Sequence, residues 1–140
     1  MKLFGSKRKS PKVFVLGLDG VPYSLMTRMV NEGRVPNFAR IIKNGSLVKI
    51  NSVVPTVAAV AWACFMTGKN PGKHNIFGVV ERSLDPFDIQ ISSFDMLRGD
   101  TIWDLLNCEG KRTIVMNVPG TYPPKELDGI LISGFPTPSI

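Results

Sequence analysis

Val13-Phe14-Val15-Leu16-Gly17-Leu18-Asp19-Gly20 is a continuous apolar run that ends at a carboxylate. Pro11 precedes the run, and large and β-branched residues fill it, so it predicts a buried, parallel strand over residues 13–18. In an open α/β sheet, ligands bind outside the carboxyl ends of the strands. Asp19 is therefore predicted to lie at a ligand-binding edge, although an Asp at this point could instead cap the helix that follows.

The rest of the chain alternates helix and strand signals around this first strand. Apolar spacing predicts helices over residues 23–31, 37–43, 58–66 and 101–108, the last capped by Asp100 or Thr101. Strands are predicted over residues 47–54, 113–116 and 130–132, whereas residues 68–99 carry turn signals with little periodicity. This order predicts an α/β fold with helices on the faces of a sheet.

The positive charge is concentrated in one short segment. The chain has 140 residues, which suits one domain, and a formal net charge of +6. Five basic residues precede the first predicted strand, and without them basic and acidic residues nearly balance: Lys2, Lys7, Arg8, Lys9 and Lys12. We therefore expect a basic flexible tail over residues 1–12 and a domain over residues 13–140. The tail is interpreted as a solubilising arm, a weak phosphate or membrane-surface contact, or a nucleic-acid-binding segment.

The cellular location is predicted from the lack of transmembrane and secretory signals and from the two cysteines. No apolar run reaches the roughly 18 residues of a transmembrane helix, and residues 13–18 are too short for the core of a secretory signal. Cys64 and Cys108 have neither close spacing nor a neighbouring histidine partner, which predicts buried, reduced thiols. We therefore expect a cytoplasmic protein.

A second motif occupies residues 55–74, PTVAAVAWACFMTGKNPGKH. It reads as an extended entry, a helix of small residues and a Gly-Pro loop. With Leu18-Asp19-Gly20, and with ordered phrases near residues 33–40, 101–106, 117–124 and 133–135, it resembles the alkaline phosphatase superfamily, in particular its type I phosphodiesterase/nucleotide pyrophosphatase branch. The resemblance extends over nearly the whole chain from Val13 onward.

The resemblance implies a three-layer sandwich, with a mostly parallel sheet between helices, of which this chain is the N-terminal portion. It also implies hydrolysis of phosphate esters by two divalent metal ions, with zinc expected and magnesium or manganese possible. The strand-end Asp of such enzymes binds metal, and a Thr or Ser at a helix start attacks phosphorus. Asp19 matches the metal ligand.

The chain departs from that pattern at the nucleophile. The matching position is Ala58, whose methyl group cannot attack phosphorus. Thr56 is either a substitute nucleophile or a helix cap. His74 is either a metal ligand or acid–base group or a loop histidine, and Lys69 and Lys73 either contact a substrate phosphate or are solvated.

The expected function is that of the N-terminal part of a metal-dependent phosphoric-ester hydrolase, inactive alone because Ala58 replaces the nucleophile and further metal ligands are missing. The alternative is a non-catalytic domain of the same fold that binds a phosphate ester or a partner. We expect a small phosphate ester as ligand and no specific nucleic acid.

Overall fold

The structure is a computed structural model that describes residues 11–82 and 88–137. Most of the predicted basic tail, residues 1–10, lies outside the described residues. The helices are α1 (Tyr23–Asn31), α2 (Pro36–Lys43), α3 (Ala58–Thr67), α4 (Pro71–His74) and α5 (Ile102–Cys108). The strands are β1 (Val80–Arg82), β2 (Ile89–Ile91), β3 (Thr113–Val118) and β4 (Gly129–Ser133), and a single 3₁₀ turn spans Phe94–Met96.

The four helices expected from apolar spacing are present, because local signals fix their ends. Thr101 is the N-cap of α5: its hydroxyl oxygen accepts from the Asp104 amide, and the Asp104 carboxylate accepts from the Thr101 amide at 2.7 Å. α3 ends where Gly68 adopts a φ of +64°, a left-handed conformation that glycine adopts without steric cost.

The strands of the described residues form two separate two-stranded sheets. β3 and β4 are parallel, in a register that pairs Ile114 with Ile130 and Met116 with Ile132. β1 and β2 form a short antiparallel hairpin inside residues 68–99, where the sequence predicted turns. The α/β class is confirmed, with two small sheets and flanking helices.

Two predicted strands are wrong. Residues 13–18 and 47–54 contain no strand, and their side chains are largely exposed, as at Phe14 (88%) and Ile50 (83%). Their backbones make no ladder with a neighbouring strand. An apolar extended segment becomes a strand only when a partner supplies those hydrogen bonds.

The core lies between α3, α5 and one face of the β3–β4 sheet. Seven buried apolar side chains form it: Ala63, Met66, Ile76, Phe94, Leu97, Trp103 and Val115. The Phe94 and Trp103 rings pack with their centroids 6.3 Å apart. The opposite face of the sheet is apolar and exposed, and it carries Ile114, Met116, Ile130 and Ile132. The sheet is thus packed on one side only.

No helix in the ranges 11–82 and 88–137 combines the length and the apolar character needed to cross a membrane.

Candidate functional site

Helix α3 presents its N-terminus to a cavity. Small side chains dominate its first turn, and its N-cap, Val57, supplies no side-chain hydrogen bond. The first backbone bond of the helix runs from the Ala61 amide to the Val57 carbonyl at 3.0 Å. The amides of the three preceding residues, beginning at Ala58, therefore have no acceptor within the helix, and the helix dipole adds positive potential beside them.

The structure brings Asp19 and Ala58 to the same cavity, which has a volume of about 270 Å³. Asp19 follows residues 13–18, which belong to no helix or strand, and Gly20, with a φ of +69°, turns the chain after it. Gly17 lies against the indole of Trp62 on α3, so the segment that carries Asp19 touches the helix that carries Ala58. The cavity therefore unites the two positions that the sequence singled out first.

Neither Asp19 nor Thr56 is a helix cap, the alternative role considered for each. The N-cap of α1 is Pro22, without a side-chain cap hydrogen bond, so Asp19 does not cap that helix. Val57, not Thr56, is the N-cap of α3. Thr56 is exposed and is not among the residues that line the cavity.

The described residues do not fit a complete metal site. No group of three or more His, Cys, Asp or Glu side chains within them could hold a metal ion. Among the described residues that line the cavity, Asp19 has the one carboxylate, whereas a zinc site in a protein uses three or four protein ligands. This chain's described residues would supply one ligand and not a site.

His74 lies at the other end of α3 and is fully buried. Its Nδ1 accepts from the Ile76 amide at 3.1 Å, and its Nε2 lies 3.3 Å from the Cys64 sulfur. Because Nδ1 is an acceptor, the proton of the neutral ring is on Nε2, which donates to Cys64 Sγ. The His74 carbonyl also accepts from the Arg98 amide at 3.0 Å. His74 thus joins α3, the turn after α4 and the loop near residue 98.

This pair is not an activated nucleophile. Burial raises the pKa of the Cys64 thiol. Burial also lowers the pKa of His74, and an interaction of the ring with the backbone of His74 itself opposes this only in part. A ring that already donates from Nε2 cannot take the thiol proton there. The pair stabilises the fold, and His74 lies away from the lining of the cavity.

The structure corrects part of the prediction that both cysteines are buried, reduced thiols without a histidine partner. Cys64 is half-buried and does have a histidine partner, which sequence analysis missed because the partner is brought close by the turn after α3. Cys108 is exposed instead of buried. Both are free thiols, as expected.

The structure does not bring Lys69 and Lys73 into the cavity lining. Lys69 lines a separate hollow beside Cys64 and Gly68, at the C-terminal end of α3. A ten-residue helix separates it from Ala58 by about 15 Å. Lys73 is exposed on α4. A phosphate contact by either lysine stays a prediction.

The chain was also compared with models of protein families. A family model described as type I phosphodiesterase / nucleotide pyrophosphatase matches residues 13–137. Comparison with curated proteins and with solved structures gives no significant match.

Proposed function

We propose that this chain, which belongs to the type I phosphodiesterase/nucleotide pyrophosphatase family of the alkaline phosphatase superfamily, is part of a metal-dependent phosphoric-ester hydrolase. In this proposal Asp19 is one metal ligand and the start of α3 faces the phosphate. The observation that supports it most is the shared cavity of Asp19 and Ala58. The other ligands have to come from outside the described residues, since these hold no further cluster of ligating side chains.

In this proposal the start of α3 supplies binding and no covalent chemistry. The free amides at the start of α3 and the helix dipole favour an anion beside Ala58. Ala58 has no hydroxyl, so it forms no phospho-enzyme intermediate. The exposed hydroxyl of Thr56 lies outside the cavity lining. We therefore propose that the chain alone does not hydrolyse phosphate esters, and that the three-layer sandwich belongs to the complete enzyme.

The test combines binding and hydrolysis on the full chain. Calorimetry measures binding of bis(4-nitrophenyl) phosphate with and without Zn²⁺, in the unmodified chain and in Asp19→Asn, while absorbance follows release of 4-nitrophenol. We expect weak binding that needs both Zn²⁺ and the Asp19 carboxylate, and no release. Binding that is unchanged in Asp19→Asn contradicts the ligand role, and release that Thr56→Ala abolishes contradicts the proposed inactivity.

The second candidate is a non-catalytic domain of the same fold that binds a phosphate ester or a partner, and the methyl group at Ala58 favours it. It differs from the first in its metal requirement. Phosphodiester binding at full strength in the presence of EDTA would support this candidate against the first.

A further inference from the structure

The cavity beside Asp19 and Ala58 has an exposed mouth and a buried apolar floor. Asp19 and Ala58 are exposed. The floor consists of side chains that are almost inaccessible, namely Ala63 (1% exposed), Met66 (2%), Ile76 (4%) and Leu97 (8%). A ligand whose charged group stays at the mouth would therefore place its other end against hydrocarbon.

Hydrogen-bonding groups are few below the mouth. Among the described residues that line the cavity, Asp19 has the one ionisable side chain, and Ser92 and Ser93 have the hydroxyls. The Ser92 hydroxyl donates to the Gly78 carbonyl at 2.7 Å, so its proton is already used. Ser93 is half-buried and makes no side-chain cap bond to the 3₁₀ turn that follows it. One free hydroxyl and an apolar floor offer little to a polar ligand.

The volume restricts the size of the group that can enter. The cavity measures about 270 Å³. An apolar cavity of about 150 Å³ accommodates benzene, and sites for drug-sized ligands begin near roughly 300 Å³. An aryl group of one or two rings, or a short alkyl chain, therefore fits this space.

A sugar or nucleoside group is disfavoured by the same walls. Each ribose hydroxyl that is buried without a partner loses its hydrogen bonds with water and gains none in return. The floor at Met66, Ile76 and Leu97 supplies no such partner. A compact apolar group loses no hydrogen bonds there and gains from burial in proportion to its area.

We infer that the cavity is the subsite for a compact apolar ester group, aryl or short alkyl, of a phosphodiester whose phosphate lies at the mouth beside Asp19 and Ala58. This inference rests on the proposed function for the phosphate position, and on the cavity floor for the apolar group. The preferred substrates are thus aryl or alkyl phosphodiesters in place of nucleotides.

An uncharged probe tests the subsite without metal or phosphate. 2-Naphthol is titrated into the full chain labelled with ¹³C at the methionine methyl groups. We expect saturable binding that shifts the Met66 methyl signal through the ring current, leaves the methyl signals of Met26 and Met29 on α1 in place, and does not respond to EDTA. Adenosine should bind at least about tenfold more weakly, which corresponds to about 1.4 kcal/mol.

Variants inside and outside the cavity lining show where the probe binds. Ala59→Leu adds bulk to the half-buried wall and should weaken naphthol binding on the order of tenfold or more, whereas Ala61→Leu, on the same helix but outside the lining, should not. If Ala59→Leu fails to fold, Val79→Phe, at an exposed position of the wall, replaces it. No shift at Met66, a shift at the exposed Met116 in its place, or equal binding of adenosine would overturn the inference.

The phosphodiester separates this inference from the proposed function. 2-Naphthyl methyl phosphate with Zn²⁺ should bind more tightly than 2-naphthol and should lose that gain in Asp19→Asn. Naphthol binding at Met66 without any gain from the phosphodiester would leave the apolar subsite standing and contradict the phosphate-ester function. Absence of naphthol binding overturns the subsite, whatever the phosphodiester does.

Discussion

Residues 13–18 and residues 113–118 are two largely apolar segments of equal length, but of the two only residues 113–118 form a strand. The second is β3, hydrogen-bonded to β4 along its length and packed on the core, so that Val115 is 7% exposed. The first forms no strand, and Val15 is 63% exposed. The difference teaches that a sequence supplies the capacity to form a strand, while a neighbouring strand and a core decide whether that capacity is used.

The same difference separates the two residues of the candidate site, Ala58 and Asp19. Ala58 is on a helix anchored by buried side chains such as Val60 and Met66. Asp19 follows the unpaired run, whose described contact with the helix is Gly17 against Trp62. One side of the site therefore lies on a helix anchored in the core, and the other follows an exposed segment that approaches this helix at Gly17.

The largest effect should come from truncating a core side chain beneath β3. Trp103 is 4% exposed and packs on Phe94, so Trp103→Ala should lower the free energy of unfolding by about 3–5 kcal/mol. Phe14→Ala, in the unpaired run, should change it by less than about 0.5 kcal/mol. Urea denaturation of both variants measures this contrast. Comparable losses in the two variants would show that residues 13–18 are as well packed as β3.

An intermediate effect should come from the protonation of His74. Burial lowers the pKa of its ring below the ordinary 6.5. The unfolded chain therefore takes up the proton first as the pH falls, and stability is full above about pH 6.5 and declines below it. A single group changes the free energy of unfolding by at most about 1.4 kcal/mol per pH unit.

The measurement is simplified because His74 is the one histidine of the chain. The nearest titratable partner, the Cys64 thiol, stays neutral over this range because burial raises its pKa. Urea midpoints between pH 7.5 and pH 5.5 should fall in the unmodified chain and be flat in His74→Gln. A slope of the same size in His74→Gln would assign the effect to the carboxylates.

Sequence reasoning located what depends on local chemistry. The start of α5 at Thr101 follows from capping, which acts within one turn. The strands near residues 113–116 and 130–132 were also predicted. The runs at 13–18 and 47–54 were not distinguished from them, because strand pairing depends on distant parts of the chain.

The sequence predicted some features of the candidate site and missed others. Asp19 and Ala58 were expected at one edge of a sheet, and they do line one cavity, although no strand precedes Asp19. The pairing of Cys64 with His74 depends on how α4 folds back on α3, which no local pattern encodes. The basic tail over residues 1–12, the cytoplasmic location and the identity of the metal stay predictions.

The smallest effect on stability, and the most direct test of how Asp19 is held, should come from Gly17→Ala. A Cβ at this position would overlap the indole of Trp62 and lie 2.9 Å from its Cζ3. Residues 13–18 are exposed whereas Trp62 is on a helix anchored in the core, so we expect the run and not the core to move. Of the two indole NH signals in a ¹⁵N spectrum, that of Trp62 should shift, and that of Trp103 should stay. Gly72→Ala is the control, because its Cβ would meet nothing closer than Asn70 Oδ1 at 3.7 Å.

Since Asp19 follows Gly17 by two residues, Gly17→Ala should also weaken Zn²⁺-dependent phosphodiester binding while 2-naphthol binding is retained. Loss of both together would mean that the segment shapes the cavity floor as well as its mouth, and the contrast between a firmly held helix and a loosely held carboxylate would then be wrong.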